Sequence, residues 1–200
     1  MNGNHAQVLA GLLGPAAADR FFADHWPERA FFAHGDPARL PAFLRTPELA
    51  STEALARRYQ GTLRFTQGRR YQKMIRIDQV DAMALYRMGL TLQFEDVTAT
   101  VPGASTALRD LEVELGINPG AACMSVFASP VEEGLSVHFD AQDIFSIQLK
   151  GSKVFHIAPV DELRYPSGSQ FVPGSAPFDA LYPQAVRGFP DADHAHFTRV

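Results

Sequence analysis

The sequence predicts an α+β fold in which a helical region precedes a β-rich region. Three observations carry this prediction. Apolar residues recur at helical spacing through most of the first third of the chain. Residues 62–77 change to alternating apolar and polar residues, a pattern typical of a β-hairpin. From residue 120 onward, short apolar stretches alternate with turn residues, which indicates a sandwich or a barrel.

The first third of the chain predicts several short helices. The segments VLAGLL and AAADRFFADHW lie on either side of Pro15, where a new helix could begin. PARLPAFL and TPELASTEALARRYQG predict two more. In the last of these, Thr46 is the expected N-cap and Gly61 the expected stop. We expect Trp26 to pack this region against the β-rich part.

The middle of the chain predicts a hairpin, a strand and two helices. TLRFT and YQKMIRI form the expected hairpin, and LTLQFEDV is the next strand. QVDAMALYRMG predicts a short helix that ends at Gly89. STALRDLEVELG predicts an amphipathic helix, because Leu108, Leu111 and Leu115 fall on one face and Gly116 follows as a stop.

The β-rich part predicts four short strands, which are AACMSVFAS, LSVHFD, DIFSIQLK and KVFHIAP. We expect Cys123 to be a buried residue of the first strand. Residues 161–190 are rich in proline, glycine and serine and predict a long ordered loop. The whole chain, 1–200, is interpreted as a single domain, with a helical and hairpin part at 1–119 and the β-rich part at 120–200.

The composition restricts the class of protein further. The chain has 200 residues, a net charge of −4 and one cysteine. The length suits one sizeable domain, and the charge gives no reason to expect nucleic acid as a partner. A single cysteine allows no internal disulfide, which fits a reducing, cytoplasmic compartment. The sequence contains no signal-peptide pattern, no apolar run long enough for a membrane span, and no hydrolase-elbow or phosphate-loop motif.

A histidine and an aspartate two residues apart form the first candidate for chemistry. On a strand, His138 and Asp140 would point to the same side. An imidazole and a carboxylate, completed by a second imidazole, form the triad that suits non-haem Fe(II) and O₂ chemistry. The alternative is a solvated His–Asp pair on a strand edge. Lys153 follows on a later predicted strand. If its ammonium is buried there, it needs an anion as a partner. The alternative is a solvated lysine at the start of a strand.

The stretch VHFDAQDIFSIQLKGSKVFHIAP resembles the core of the JmjC-type, cupin-fold 2-oxoglutarate oxygenases. It looks most like the branch that contains the ribosomal oxygenases. The residues that carry this resemblance are His138, Phe139, Asp140, Phe145, Gln148, Gly151, Lys153 and Phe155. The segment FFADHWPERAFFAHG also resembles the N-terminal Trp-Pro signature of that branch.

The resemblance implies a double-stranded β-helix of the jelly-roll, cupin type, incomplete at its C-terminal end. It implies an Fe(II)- and 2-oxoglutarate-dependent dioxygenase that hydroxylates a side chain of a protein or peptide. His138 and Asp140 match the first two metal ligands, and Lys153 matches the residue that binds the distal carboxylate of 2-oxoglutarate. Ser146 and Ser125 fall near positions that line the cosubstrate pocket. O₂ and the substrate protein are the implied partners, and a homodimer is open.

The third ligand of the family, a later histidine, has no clear match. The later histidines are His156, His194 and His196. If Lys153 and Phe155 face inward, alternation turns His156 away from the metal.

Two explanations are open for the third ligand. The chain ends before its last barrel strands and the ligand lies beyond Val200, which is the explanation we favour, or His194 or His196 is recruited. With an incomplete site, the alternative function is a non-catalytic cupin-like binding module. The loop 161–190 and the hairpin 62–77 are the expected substrate contacts.

Overall fold

The computed structural model describes residues 7–67, 71–77, 79–135, 138–157, 170–171 and 198–199. It combines α-helices with antiparallel sheet, which agrees with the predicted α+β class. The helices are α1 (Gln7–Leu13), α2 (Pro15–Arg20), α3 (Thr52–Arg58), α4 (Gln79–Arg87) and α5 (Ala104–Leu115). None of the helices in this part of the chain is long and apolar enough to cross a membrane.

The strands form one larger sheet and two short ladders. They are β1 (Leu63–Gln67), β2 (Tyr71–Ile77), β3 (Thr91–Phe94), β4 (Val126–Ala128), β5 (His138–Phe139), β6 (His156–Ile157), β7 (Gln170–Phe171) and β8 (Thr198–Arg199). The larger sheet has the antiparallel order β2-β1-β3-β4. β5 pairs with β7, and β6 pairs with β8. The predicted hairpin is therefore confirmed, and β4 joins the sheet that this hairpin begins.

The helical N-terminal region follows the predicted pattern with two corrections. PARLPAFL, predicted as one short helix, forms two 3₁₀ turns, Pro37–Arg39 and Ala42–Arg45. α1 and α2 lie on either side of Gly14, Pro15 occupies the first turn of α2, and a π-helical turn continues through Phe21–His25. The short helix expected between Thr46 and Gly61 is instead a 3₁₀ turn, Pro47–Leu49, followed by α3, which ends at Arg58. The Thr46 side chain makes no capping hydrogen bond, whereas Ser51 Oγ accepts the N–H of Ala54 at 3.0 Å. Ser51 is thus the N-cap of α3, because a cap must precede the first helical residue directly.

The core lies between one face of the sheet and the helices. Leu63, Leu92 and Phe94 are fully buried on neighbouring strands, in the register that sets Leu63 opposite Phe94. Tyr59, 1% exposed, ends this cluster at the C-cap of α3, and its hydroxyl donates to the carbonyls of Thr62 and Glu95. Burial raises the pKa of the Tyr59 hydroxyl, so it remains a donor. These contacts hold the sheet against α3.

Two glutamates on α5 hold distant segments of the chain. Glu114 accepts the N–H groups of Val8 and Leu9 at 3.1 and 2.8 Å, which satisfies donors in the first turn of α1. Glu112, 4% exposed, accepts the N–H of Ala122 at 2.9 Å. The hydrogen bond from Ala122 is the main reason why the pKa of Glu112 is lowered. α5 therefore connects the N-terminus to the segment that precedes β4.

Three predictions for the β-rich part are wrong. Lys153, expected on a strand, precedes β6 and lies outside it. Residues 143–149 alternate in sequence but form no strand, because alternation defines a face and not a pairing partner. Cys123 lies outside β4 and is exposed, so it is not a buried strand residue. Within the residues that the structure describes, the short ladders do not complete a barrel. The jelly-roll therefore stays a prediction.

Candidate metal and cosubstrate site

The His138–Asp140 pair is the centre of the candidate site. His138 lies on β5, opposite Phe171 of β7, and Asp140 follows β5 directly. His138 Nε2 and Asp140 Oδ2 are 3.7 Å apart, which is beyond hydrogen-bonding distance. Both side chains are about one-third exposed, at 29% and 35%. The two donor atoms therefore face one solvent-accessible region.

Phe139, between the two, points in the opposite direction. It is 7% exposed, and it sits opposite Gln170 in the β5–β7 ladder. Since successive side chains on a strand point to opposite faces, burial of Phe139 orients the histidine and the aspartate outward. The sequence alternation predicts this arrangement, in which His138 and Asp140 share one side and Phe139 takes the other.

The pair fits part of a metal coordination shell. Two ligands at right angles, with metal–ligand bonds of about 2.1 Å, lie about 3 Å apart. The observed distance between Nε2 and Oδ2 is 3.7 Å. A small rotation of either side chain would bring the two atoms to the separation that a shared metal requires. Among the described residues, no group of three or more histidine, cysteine, aspartate or glutamate side chains could hold a metal ion. The pair would therefore supply two ligands, one neutral and one anionic.

Lys153 is the cation that follows the pair in the sequence. It is partly buried, and its Nζ lies 5.6 Å from the centroid of the Phe155 ring. Burial lowers the pKa of the Lys153 ammonium, and in the described part of the chain no carboxylate forms an ion pair with it. A desolvated ammonium of this kind is stabilised when an anion binds beside it.

Lys153 and Phe155 precede β6, but the exposure of residues 153–157 alternates as it does along a strand. Lys153 and Phe155 are partly buried, whereas Val154 and His156 are exposed. His156 lies on β6 opposite Arg199 and points away from the side that carries Lys153. This agrees with the expectation that His156 and Lys153 face opposite sides; the role of His156 stays a prediction. His194 and His196 lie outside the described residues.

The two serines have weaker structural support than Lys153. Ser125 and Ser146 are both exposed, and the hydrogen bonds of the described residues do not connect either one to His138, Asp140 or Lys153. Their role beside the cosubstrate stays a prediction. Gln148, part of the same sequence pattern, donates from Nε2 to the carbonyl of Lys150 at 2.7 Å. That bond holds the turn that leads to Gly151 and Lys153.

Phe145 attaches the site segment to the N-terminal helices. Its ring centroid lies 5.9 Å from Phe21 and 6.2 Å from Trp26. Phe21 is 5% exposed and packs with Leu9 and Leu111 in a second core cluster. Trp26 therefore does pack the helical region against the β-rich part, as predicted. The sequence gives Phe145 as a pattern residue, but nothing in it identifies Phe21 as its partner.

Comparison with known proteins supports the JmjC/cupin family. A family model described as "JmjC domain" matches residues 111–174, a range that contains His138, Asp140 and Lys153. A Bacillus subtilis (strain 168) protein, "Uncharacterized protein YxbC", is 22% identical over 166 residues. The match covers 80% of this chain and 50% of that protein, so the chain spans about half the length of this relative.

Proposed function

We propose that this protein is an Fe(II)- and 2-oxoglutarate-dependent oxygenase that hydroxylates a side chain of a protein or peptide. The observation that carries the proposal is the His138–Asp140 pair, with donor atoms 3.7 Å apart inside the segment that matches a JmjC domain. JmjC domains typically use Fe(II) and 2-oxoglutarate. The identity of the substrate rests on the resemblance to the ribosomal oxygenase branch alone.

His138 and Asp140 have the chemistry that an Fe(II) site needs. An imidazole nitrogen and one carboxylate oxygen on the same side of the chain would occupy adjacent positions of the metal and leave others open. When both are bound, Fe(II) and 2-oxoglutarate supply O₂ activation, coupled to decarboxylation of 2-oxoglutarate to succinate. Burial of Phe139 keeps the two donors directed to one side.

Lys153 has the properties that a dicarboxylate cosubstrate requires. Its ammonium is partly desolvated and lies next to the Phe155 ring. Burial makes the charged form less stable, and a carboxylate beside it would stabilise that form again. A charge-assisted hydrogen bond from Lys153 would hold the distal carboxylate of 2-oxoglutarate and thereby orient the other end. The lysine thus positions the cosubstrate and takes no part in bond breaking.

Binding experiments on the full-length protein test this proposal. Under anaerobic conditions, Mn(II) replaces Fe(II), and titration calorimetry measures binding of Mn(II) and then of 2-oxoglutarate. We expect His138→Ala to weaken Mn(II) binding by at least about 100-fold, because loss of a residue that only supports a metal ligand already costs about 10–100-fold. His156→Ala is the matched control, because His156 is exposed on the neighbouring strand and points away from Lys153.

The same experiments separate the two functions. Turnover is measured as O₂-dependent formation of succinate, with and without a pool of ribosomal peptides. If the wild-type protein binds neither Mn(II) nor 2-oxoglutarate, the oxygenase proposal is wrong, and the non-catalytic cupin-like module takes its place. Equal loss of Mn(II) binding in His138→Ala and His156→Ala would remove His138 from the site.

Variants of His194 and His196 test the identity of the third metal ligand. We propose that neither His194 nor His196 supplies it. His194→Ala and His196→Ala should then leave Mn(II) affinity unchanged in the full-length protein. A loss of about 100-fold in either variant would instead identify that histidine as the ligand.

A further inference from the structure

A cavity of about 590 Å³ lies in the N-terminal region, between α2 and the segment that follows the π-helical turn. Its lining is formed by residues before α3 and includes none of the candidate metal or cosubstrate residues. Pockets that bind small molecules usually have volumes of about 300–1,000 Å³. The residues that line this one include Arg20, Arg39, Asp24, His25, Phe31 and Phe32.

The guanidinium of Arg39 lies close to two glycines. Its Nη2 donates to the carbonyl of Leu12 at 3.3 Å. A Cβ at Gly35 would come within 2.8 Å of Arg39 Nε, and a Cβ at Gly14 would lie 3.1 Å from Nη1. The absence of side chains at both positions therefore leaves the space that the guanidinium occupies. Only one of its donors is used by Leu12, so the remaining N–H groups are available to a ligand.

The charged residues of the lining give the cavity a net positive charge. In the part of the chain that the structure describes, neither Arg20 nor Arg39 forms an ion pair with a carboxylate. Asp24 also lines the cavity and offsets one of the two charges. A guanidinium matches the geometry of a carboxylate or a phosphate, since it presents parallel N–H donors.

Aromatic rings line the same cavity. Phe31 is fixed by an edge-to-face contact with His25, at 5.1 Å between centroids, and by a second contact with Phe21 at 5.8 Å. His25 is itself held, because its Nδ1 lies 2.8 Å from the carbonyl of Ala30. Phe32 is 44% exposed, which is high for a large apolar residue. These rings offer an apolar surface beside the cations.

We propose that this cavity binds a small organic anion, whose planar body packs on Phe31 and Phe32 while its phosphate or carboxylate meets Arg20 and Arg39. The combination of two guanidinium groups, a net positive charge and exposed aromatic surface is what such a ligand requires. Its lining residues are distinct from the candidate metal and cosubstrate residues.

Four probes identify the chemistry by titration calorimetry. AMP carries a phosphate and adenosine does not, whereas benzoate carries a carboxylate and benzamide does not. We expect saturable binding of AMP, benzoate or both at or below about 1 mM, and at least tenfold weaker binding of the neutral partner. AMP binding alone indicates a phosphate source, and benzoate binding alone a carboxylate source. If neither anion binds at 10-fold higher concentration (about 10 mM), the proposal is overturned.

Variants test whether the bound anion uses this cavity. Arg39→Gln should weaken binding about tenfold or more. Gly35→Ala should also weaken it, although it keeps the charge, because the new methyl group displaces the guanidinium. Asp24→Asn should strengthen binding. Arg109→Gln on α5 is the control for net charge, since Arg109 is exposed and outside the cavity lining.

Substitution of Arg20 should not affect the stability of the fold, because its side chain is exposed. Arg20→Gln should weaken anion binding with an unchanged melting temperature. If Arg109→Gln weakens binding as much as Arg20→Gln and Arg39→Gln, the attraction is unspecific, and the cavity is not the site.

Discussion

Truncation of Phe145 to leucine is expected to loosen the segment between Asp140 and Lys153. Phe145 contacts Phe21 at 5.9 Å and Trp26 at 6.2 Å, with interplanar angles of 56° and 39°. Aromatic pairs of this kind contribute about 0.5–1.5 kcal/mol each beyond the burial of area. Because Phe145 is only partly buried, we use the lower half of that range. Loss of both contacts then costs about 1–2 kcal/mol in the free energy of unfolding.

A double-mutant cycle isolates the contact with Phe21. Phe21→Leu and Phe145→Leu are measured singly and together by urea denaturation, and we expect a coupling energy of about 0.5–1 kcal/mol. For a chain of this size, Phe145→Leu alone should lower the melting temperature by about 2–8 °C. Affinity for 2-oxoglutarate should fall with it, because the segment that carries Lys153 loses its attachment.

The control pair is Phe21→Leu with Phe127→Leu. Phe127 lies on β4, and its ring is 43% exposed. Its effect should add to that of Phe21→Leu within about 0.5 kcal/mol, as expected for independent sites. If the effects of Phe21→Leu and Phe145→Leu on the free energy of unfolding add equally well, the N-terminal helices do not hold the segment between Asp140 and Lys153.

Three further outcomes are expected. Lys153→Met raises the melting temperature of the ligand-free protein at neutral pH but abolishes 2-oxoglutarate binding in calorimetry, since burial of its ammonium lowers the pKa and is unfavourable until an anion binds. Glu114→Gln lowers the free energy of unfolding in urea by about 1–2 kcal/mol, because a neutral amide replaces a charged acceptor of two N–H groups. Glu112→Gln reduces acid sensitivity in melting curves from pH 7 to pH 3: the folded pKa of Glu112 is lowered, so its stabilisation is complete above the unfolded pKa and is lost as pH falls through the folded one.

Lys150→Met is the control for Lys153→Met. Lys150 is exposed, and its substitution should change neither stability nor cosubstrate affinity. The following results would contradict the three expected outcomes. A destabilised Lys153→Met variant would mean that the ammonium already has a partner. Unchanged urea stability of Glu114→Gln would show that solvent satisfies the first turn of α1 equally well. Parallel pH curves for wild type and Glu112→Gln would mean that Glu112 does not titrate with unfolding.

Local sequence signals account for the elements that could be predicted. α5 follows from leucines on one face and from Gly116, which has a φ of 66° and suits the left-handed end of a helix. The hairpin of β1 and β2 follows from alternation near a short turn. The capping residue of α3 is less clear from sequence, because Thr46 and Ser51 are both acceptable caps. The backbone decides between them by starting the α-helix at Thr52.

Pairing over long distances along the chain explains the errors. Residues 143–149 have a strand pattern, yet a strand requires a partner whose position the pattern does not give. Cys123 was expected in a strand that begins only at Val126, so its exposure depends on where pairing with β3 starts. Glu114 is 105 residues away from Leu9, whose N–H it accepts. No local rule connects those two positions.

The sequence by itself determined the chemistry of the candidate site. The two-residue spacing of His138 and Asp140 sets their common side, and the same alternation separates Lys153 from His156. Only the tertiary structure decided that Phe145 packs on Phe21 and that Arg39 lies between two glycines at a cavity. The physical reason is that strand alternation is a property of neighbouring peptide units. Packing instead depends on which distant segments the folded chain brings together.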